Sequence, residues 1–147
     1  MAFREVFSLT DVSACIANGL QALGTYAVLI IVGNTRDIEA SVDIDSCLRA
    51  RNPNDNRWDY AFGYKHRIYY IEVHHVNDKG VGEVVKKLKW LRDWQNRQPN
   101  SILLKANSSY HWISSGTGHL SKYSRFTRLL VQSGLAYPQK FLRIKDS

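Results

Sequence analysis

A chain of 147 residues is long enough to bury a substantial core in one domain, and its 44% hydrophobic and 22% charged content excludes wholesale disorder. Lys and Arg total 20 against 13 Asp and Glu, and the resulting net charge of +7 favours an anionic partner, nucleic acid before an acidic membrane surface. The longest apolar run, "YAVLIIV" at 26–32, is too short to cross a bilayer, and "MAFREVFSLT" mixes charges among its apolar residues, so neither a membrane span nor a secretory signal is expected.

From the N-terminus, "SLTDVSACIANGLQAL" repeats Val12, Ile16, Leu20 and Leu23 at helical spacing, with Ser8 or Thr10 as N-cap and Gly24 as stop. "TYAVLIIVGN" reads equally as continuing helix or as a first strand. "DIEASVDID" alternates, with Ile38, Ala40, Val42 and Ile44 on one face and Glu39, Ser41, Asp43 and Asp45 on the other, as a half-buried strand does. "RARNPNDNRW" is a loop by composition. "WDYAFGY" and "RIYYIEVHHV" then predict an antiparallel hairpin across the basic turn "KHR".

"VGEVVKKLKWLRDWQNRQ" is the clearest helix, with Val81, Val84, Leu88, Leu91 and Gln95 on one face and Pro99 at its end. "SILLKA" and "YHWISS" predict a second hairpin joined by "NSS". A last helix, "SRFTRLLVQSG", takes Ser124 as N-cap and Gly134 as C′ residue. The sum is an α+β (mixed α/β) single domain over 1–147, a central mixed sheet flanked by helices. Cys15 and Cys47 have no spacing that defines a disulfide, and a reducing, cytoplasmic setting is the expectation.

The stretch "RIYYIEVHHV" puts Glu72 and His74 inside an otherwise apolar strand. Alternate residues share a face, so Glu72 and His74 point together while His75 points away. Asp59 opens the preceding strand, and antiparallel pairing sets its early residues beside the late ones of the next, bringing Asp59 to Glu72. Two carboxylates suit a hard cation such as Mg²⁺. His74 adds a base or a softer ligand that would favour Mn²⁺. Asp43, on the polar face of its strand, is a further metal-ligand candidate, with Asp45 beside it. The competing reading of Glu72 is a structural ion pair with Lys87 or Arg67.

Over roughly residues 10–106 these features resemble the PD-(D/E)XK restriction-endonuclease-like superfamily: an Asp opening one strand, then an acid, any residue and a lysine on the next. The resemblance implies a restriction-endonuclease-like fold, metal-dependent phosphodiester hydrolysis with Mg²⁺ or Mn²⁺, and DNA or RNA as partner. Asp59 and Glu72 take the acid positions and His74 stands where the lysine is expected. In some members the lysine migrates to the following helix, where this chain offers Lys86, Lys87 and Lys89. Lys87 lies nearest the apolar stripe and is the preferred replacement, giving Asp59, Glu72, His74 and Lys87 as the catalytic set. The stretch 71–94 is also similar to small bacterial proteins without an assigned activity.

Trp90, Trp94, Tyr110, His111 and Trp112 are of the type that stacks on bases, although core packing is their commoner use. Lys122, Arg125 and Arg128 surround the last helix and suit phosphates. "GTGHLS" lacks the lysine of a nucleotide-binding loop. The leading expectation is a metal-dependent nuclease or a nuclease-derived nucleic-acid-binding protein, and the alternative is a non-catalytic interaction module, immunity- or antitoxin-like, binding a protein partner on a degenerate nuclease fold. A homodimer is left open, and a membrane-surface role rests on charge alone.

Overall fold

The computed structural model describes residues 2–116, 118, 120 and 125–145. Over these, strands β1 (Ala17–Asn18), β2 (Ile30–Ile31), β3 (Ile38–Asp43), β4 (Tyr60–Tyr64), β5 (Arg67–His74), β6 (Ser108–Ser114) and β7 (Leu142–Arg143) form two sheets. The larger is five-stranded in the order β1-β3-β4-β5-β6, and β2 pairs with β7 in parallel. β1, β3, β4 and β5 are successively antiparallel, whereas β6 runs parallel to β5. Helices α1 (Phe3–Phe7), α2 (Ile44–Leu48), α3 (Asp78–Arg97), α4 (Ser101–Lys105) and α5 (Arg125–Ser133) complete the expected mixed α+β architecture.

The hairpin from β4 to β5 follows from its turn. Lys65 and His66 both adopt positive φ, 49° and 64°, the backbone that matches strand twist in a two-residue hairpin loop. α3 starts where Asn77 accepts the Gly80 amide with its side chain, and it buries Val81, Val84, Leu88, Leu91 and Gln95 as the periodicity predicts. That stripe joins Phe3, Phe7, Val42, Ala61, Tyr70 and Trp112 in one core. A smaller core on the other face packs Leu23 and Ile30 on Phe62, Tyr64, Tyr69, Ile71 and Ile113. Gly63 admits α1 to the sheet, since a Cβ there would lie 2.5 Å from the Cβ of Phe3.

Three sequence expectations are corrected. The segment 8–23 is not one helix: 3-10 turns at Ser13–Cys15 and Gln21–Leu29 flank β1, and Gly19 and Gly24 take φ of 50° and 56°, which an α-helix cannot accommodate. Ile38 does not share a face with Ala40 and Val42, because a register shift between Ile38 and Ser41 turns it into the smaller core. Residues 101–114 are not a hairpin: 101–105 form α4, and β6 pairs with β5 rather than with its own predecessor. Cys15 and Cys47, whose spacing left their pairing open, are joined by a disulfide across 32 residues. At the C-terminal helix, Gly134 has φ of 85° as the C′ position requires, while Ser124 lies outside the described residues.

Candidate active site

The hairpin register places Tyr60 opposite Ile71, so Asp59 falls beside Glu72, as antiparallel pairing predicts. The two residues are interlocked. The Asp59 amide donates to Glu72 Oε1 at 3.2 Å, and the Val73 amide donates to Asp59 Oδ2 at 3.0 Å. The Asp59 carbonyl in turn accepts the Ile44 amide of α2 at 2.8 Å.

α3 crosses the same sheet face, and its period suits the strand beneath it. Four helix residues rise about 6 Å and two strand residues about 6.7 Å, so side chains one turn apart on α3 meet alternate side chains of β5. Lys87 Nζ therefore reaches Glu72 Oε2 at 2.7 Å, and Glu83, one turn earlier, meets His74 Nε2 at 2.7 Å. Lys87 Nζ also stands 3.8 Å from Asp59 Oδ1. Lys86 and Lys89 face solvent. Arg67, the other competitor for Glu72, is exposed at the start of β5.

The electrostatics follow from burial. Glu72 has 0% exposure, while the side chains of Asp59 and Lys87 keep 17% and 25%, so the cluster opens to solvent on their side. Burial first, and then repulsion from Asp59, holds the Glu72 pKa well above the usual carboxylate range against the opposing attraction of Lys87. Burial likewise raises Asp59. For Lys87 burial alone would lower the pKa, but Glu72 and Asp59 outweigh it and keep the ammonium protonated. Burial thus favours the protonated carboxyl at Glu72 and Asp59, while the two acids favour the protonated amine at Lys87. Burial and the charge of Lys87 lower His74 despite its contact with Glu83, which favours the neutral imidazole.

Asp59, Glu72 and Lys87 are thus brought together, and His74 sits next to them, hydrogen-bonded to Glu83. Asp43 is engaged elsewhere: it caps α2, with Oδ1 accepting the Ser46 amide at 2.8 Å and Oδ2 the Ser46 hydroxyl at 2.9 Å. Among the described residues no three His, Cys, Asp or Glu side chains gather to hold one ion, and both Asp43 oxygens are taken up by the α2 cap. Two protein carboxylates side by side are nevertheless within the number that Mg²⁺ takes while retaining its waters.

Asp45 also has a structural partner, the buried Arg57, whose Nε donates to its Oδ1 at 2.9 Å. Sequence reasoning missed Arg57 and Glu83. Glu83 had a readable signal, standing four residues before Lys87 on the same helical face.

Of the aromatic candidates, Trp94 and Trp112 are buried in the core. Tyr110 stacks on Tyr70, and the Trp90 indole donates to Asp55 at 2.9 Å. His111 is pushed down to about 4, by burial first and then by Arg67, so it is neutral at physiological pH. Arg125 and Arg128 are exposed on α5, whereas Lys122 lies outside the described residues. Among the described residues no helix is long and apolar enough to cross a membrane. Comparisons with protein-family models, curated proteins and solved structures give no match.

Proposed function

We propose that this chain is a metal-dependent nuclease that hydrolyses phosphodiester bonds in DNA or RNA. The observation that carries the reading is the convergence of Asp59, Glu72 and Lys87, with the amine supplied by α3 because His74 occupies the strand position where a lysine would stand. Asp59 and Glu72 would hold Mg²⁺ or Mn²⁺, which when bound supplies Lewis acidity to a phosphoryl oxygen and to an attacking water. Lys87, kept protonated by the two acids, presents an N–H donor where charge grows on the phosphoryl oxygens. His74, neutral and oriented by Glu83, is a proton acceptor at the edge of the cluster. The charge of +7 favours the polyanionic substrate.

Incubation of labelled DNA and RNA with Mg²⁺, with Mn²⁺ and with chelator tests this directly. Metal-dependent cleavage is expected, reduced about a hundredfold or more by Glu72→Gln and by Lys87→Ala. A wild-type protein inert with every metal, or cleavage that survives both substitutions, removes the catalytic reading.

One observation favours the second reading, a non-catalytic interaction module: both Glu72 oxygens already have protein partners, Lys87 and the Asp59 amide. Calorimetry separates the two, since such a module gives no heat with divalent ions and binds its protein partner equally well in chelator.

A further inference from the structure

The Cys15–Cys47 bond lies outside the acid–amine cluster, yet it closes a mechanical circuit through it. One sulfur belongs to α2. The first amides of α2, from Ile44 and Asp45, donate to the Asp59 carbonyl at 2.8 and 3.4 Å, and Arg57 clamps Asp45, so α2 is stitched to the segment that carries Asp59. The other sulfur ends a turn whose start is fastened to α3. The Asp11 amide donates to the Gln98 side chain at 3.2 Å, and the Trp94 indole donates to Asp11 Oδ1 at 2.8 Å. Lys87 lies two turns before Trp94 on that helix. The disulfide therefore adds a covalent tie between the support of the acid and the support of the amine, beside the Trp90–Asp55 hydrogen bond that joins α3 to the loop before Asp59, and no hydrogen bond between α2 and α3 is seen among the described residues.

We infer that Cys15 and Cys47 are redox-sensitive positioning residues, whose bond holds Asp59 in register with Glu72 and Lys87. The inference rests on reading those three residues as one centre. A dithiol delivers two electrons and two protons: the Cys15–Cys47 bond breaks to two thiols, and the dithiol closes to its own disulfide. α2 then keeps its cap but loses its covalent tie to the turn on α3, and the Asp59 carboxylate gains freedom relative to Lys87. Both cysteines are partly buried, so the exchange requires a small, soluble dithiol such as dithiothreitol.

The test uses the intact chain, oxidised and in dithiothreitol, followed by amide exchange and by the NMR signals of the Lys87 ammonium group. Neither readout depends on nuclease activity, so an inert enzyme and a failed positioning role are distinguishable. Thiol titration of the denatured, unreduced chain should find no free thiol.

On reduction, exchange of the Ile44, Asp45 and Val73 amides should rise at least tenfold and the Lys87 signals should shift. The Ser114 amide, bonded to the Gln139 carbonyl at the far edge of the sheet, should hold its protection. The Cys15→Ser/Cys47→Ser double variant should reproduce the reduced pattern and ignore dithiothreitol. Two free thiols at the outset, unchanged site amides and Lys87 signals, or an equal loss of protection at Ser114 would each overturn the inference. The last would make the bond a general staple.

Discussion

Glu72 is a carboxyl group on a central strand with no accessible surface, so its charge state is decided by neighbours rather than by water. Burial and Asp59 raise its pKa well above 4.5. The folded chain then keeps a proton that the unfolded chain releases near that value. This contribution to stability is fully present below pH 4.5 and is lost as pH rises through the folded pKa. Glu72→Gln removes the titration while preserving shape. The denaturant midpoint of the wild type relative to Glu72→Gln should accordingly fall as pH rises from 4.5 through the folded pKa. A relative rise over that window would mean that Lys87 more than compensates the buried charge. Lys87→Met supplies the converse: it strands Glu72 and should cost about 3–5 kcal/mol near neutral pH, with much of the loss restored by adding Glu72→Gln. Additive losses in the double variant, measured by denaturant unfolding, would show that the two side chains do not act as a pair.

At the scale of elements, α2 is a five-residue helix that no propensity would sustain alone, and its two ends explain its persistence. Asp43 caps it and Cys47 anchors it. The carboxylate that alternation offered as a metal ligand is therefore better tested as a cap. Asp43→Asn keeps an acceptor for the Ser46 amide and should leave stability within about 0.5 kcal/mol, whereas Asp43→Ala should cost about 1 kcal/mol. Unfolding curves of the two variants decide between the roles, together with Mn²⁺ titrations. A tenfold weaker Mn²⁺ affinity in Asp43→Asn at unchanged stability would restore it as a ligand.

What the sequence made readable at this scale was whatever is governed by period. Aromatic and β-branched content marked β4 and β5, alternation set Glu72 and His74 on one face, the helical stripe marked α3, and together they put Asp59, Glu72 and Lys87 in reach of one another. The helical spacing of Val12, Ile16, Leu20 and Leu23 was satisfied differently, by turns and 3-10 segments broken at Gly19 and Gly24, because apolar spacing does not report backbone handedness. Ile102 and Leu104 in α4 resemble strand residues, yet Ile102 is 81% exposed and Leu104 buried, and only the parallel docking of β6 on β5 reveals the short helix.

For the molecule as a whole, the disulfide was invisible in spacing because it joins an irregular N-terminal turn to a helix that exists largely through tertiary contacts. Its consequence reaches beyond the site. Reduction frees a separation of 32 residues in the unfolded chain, and the chain-entropy account puts the lost stabilisation at roughly 3–4 kcal/mol. For a chain of this length that corresponds to a fall in Tm of roughly 6 to 16 °C. Thermal unfolding followed by circular dichroism, with and without dithiothreitol, should show that fall, and the Cys15→Ser/Cys47→Ser variant should melt at the lower temperature under both conditions. Identical melting of the oxidised and reduced chains would mean that the reduced, unfolded ensemble already keeps the N-terminal turn close to α2. In that event the bond contributes nothing to global stability. A fall confined to the wild type would tie the fold's stability, as well as the register of its acid cluster, to the redox state in which the chain works.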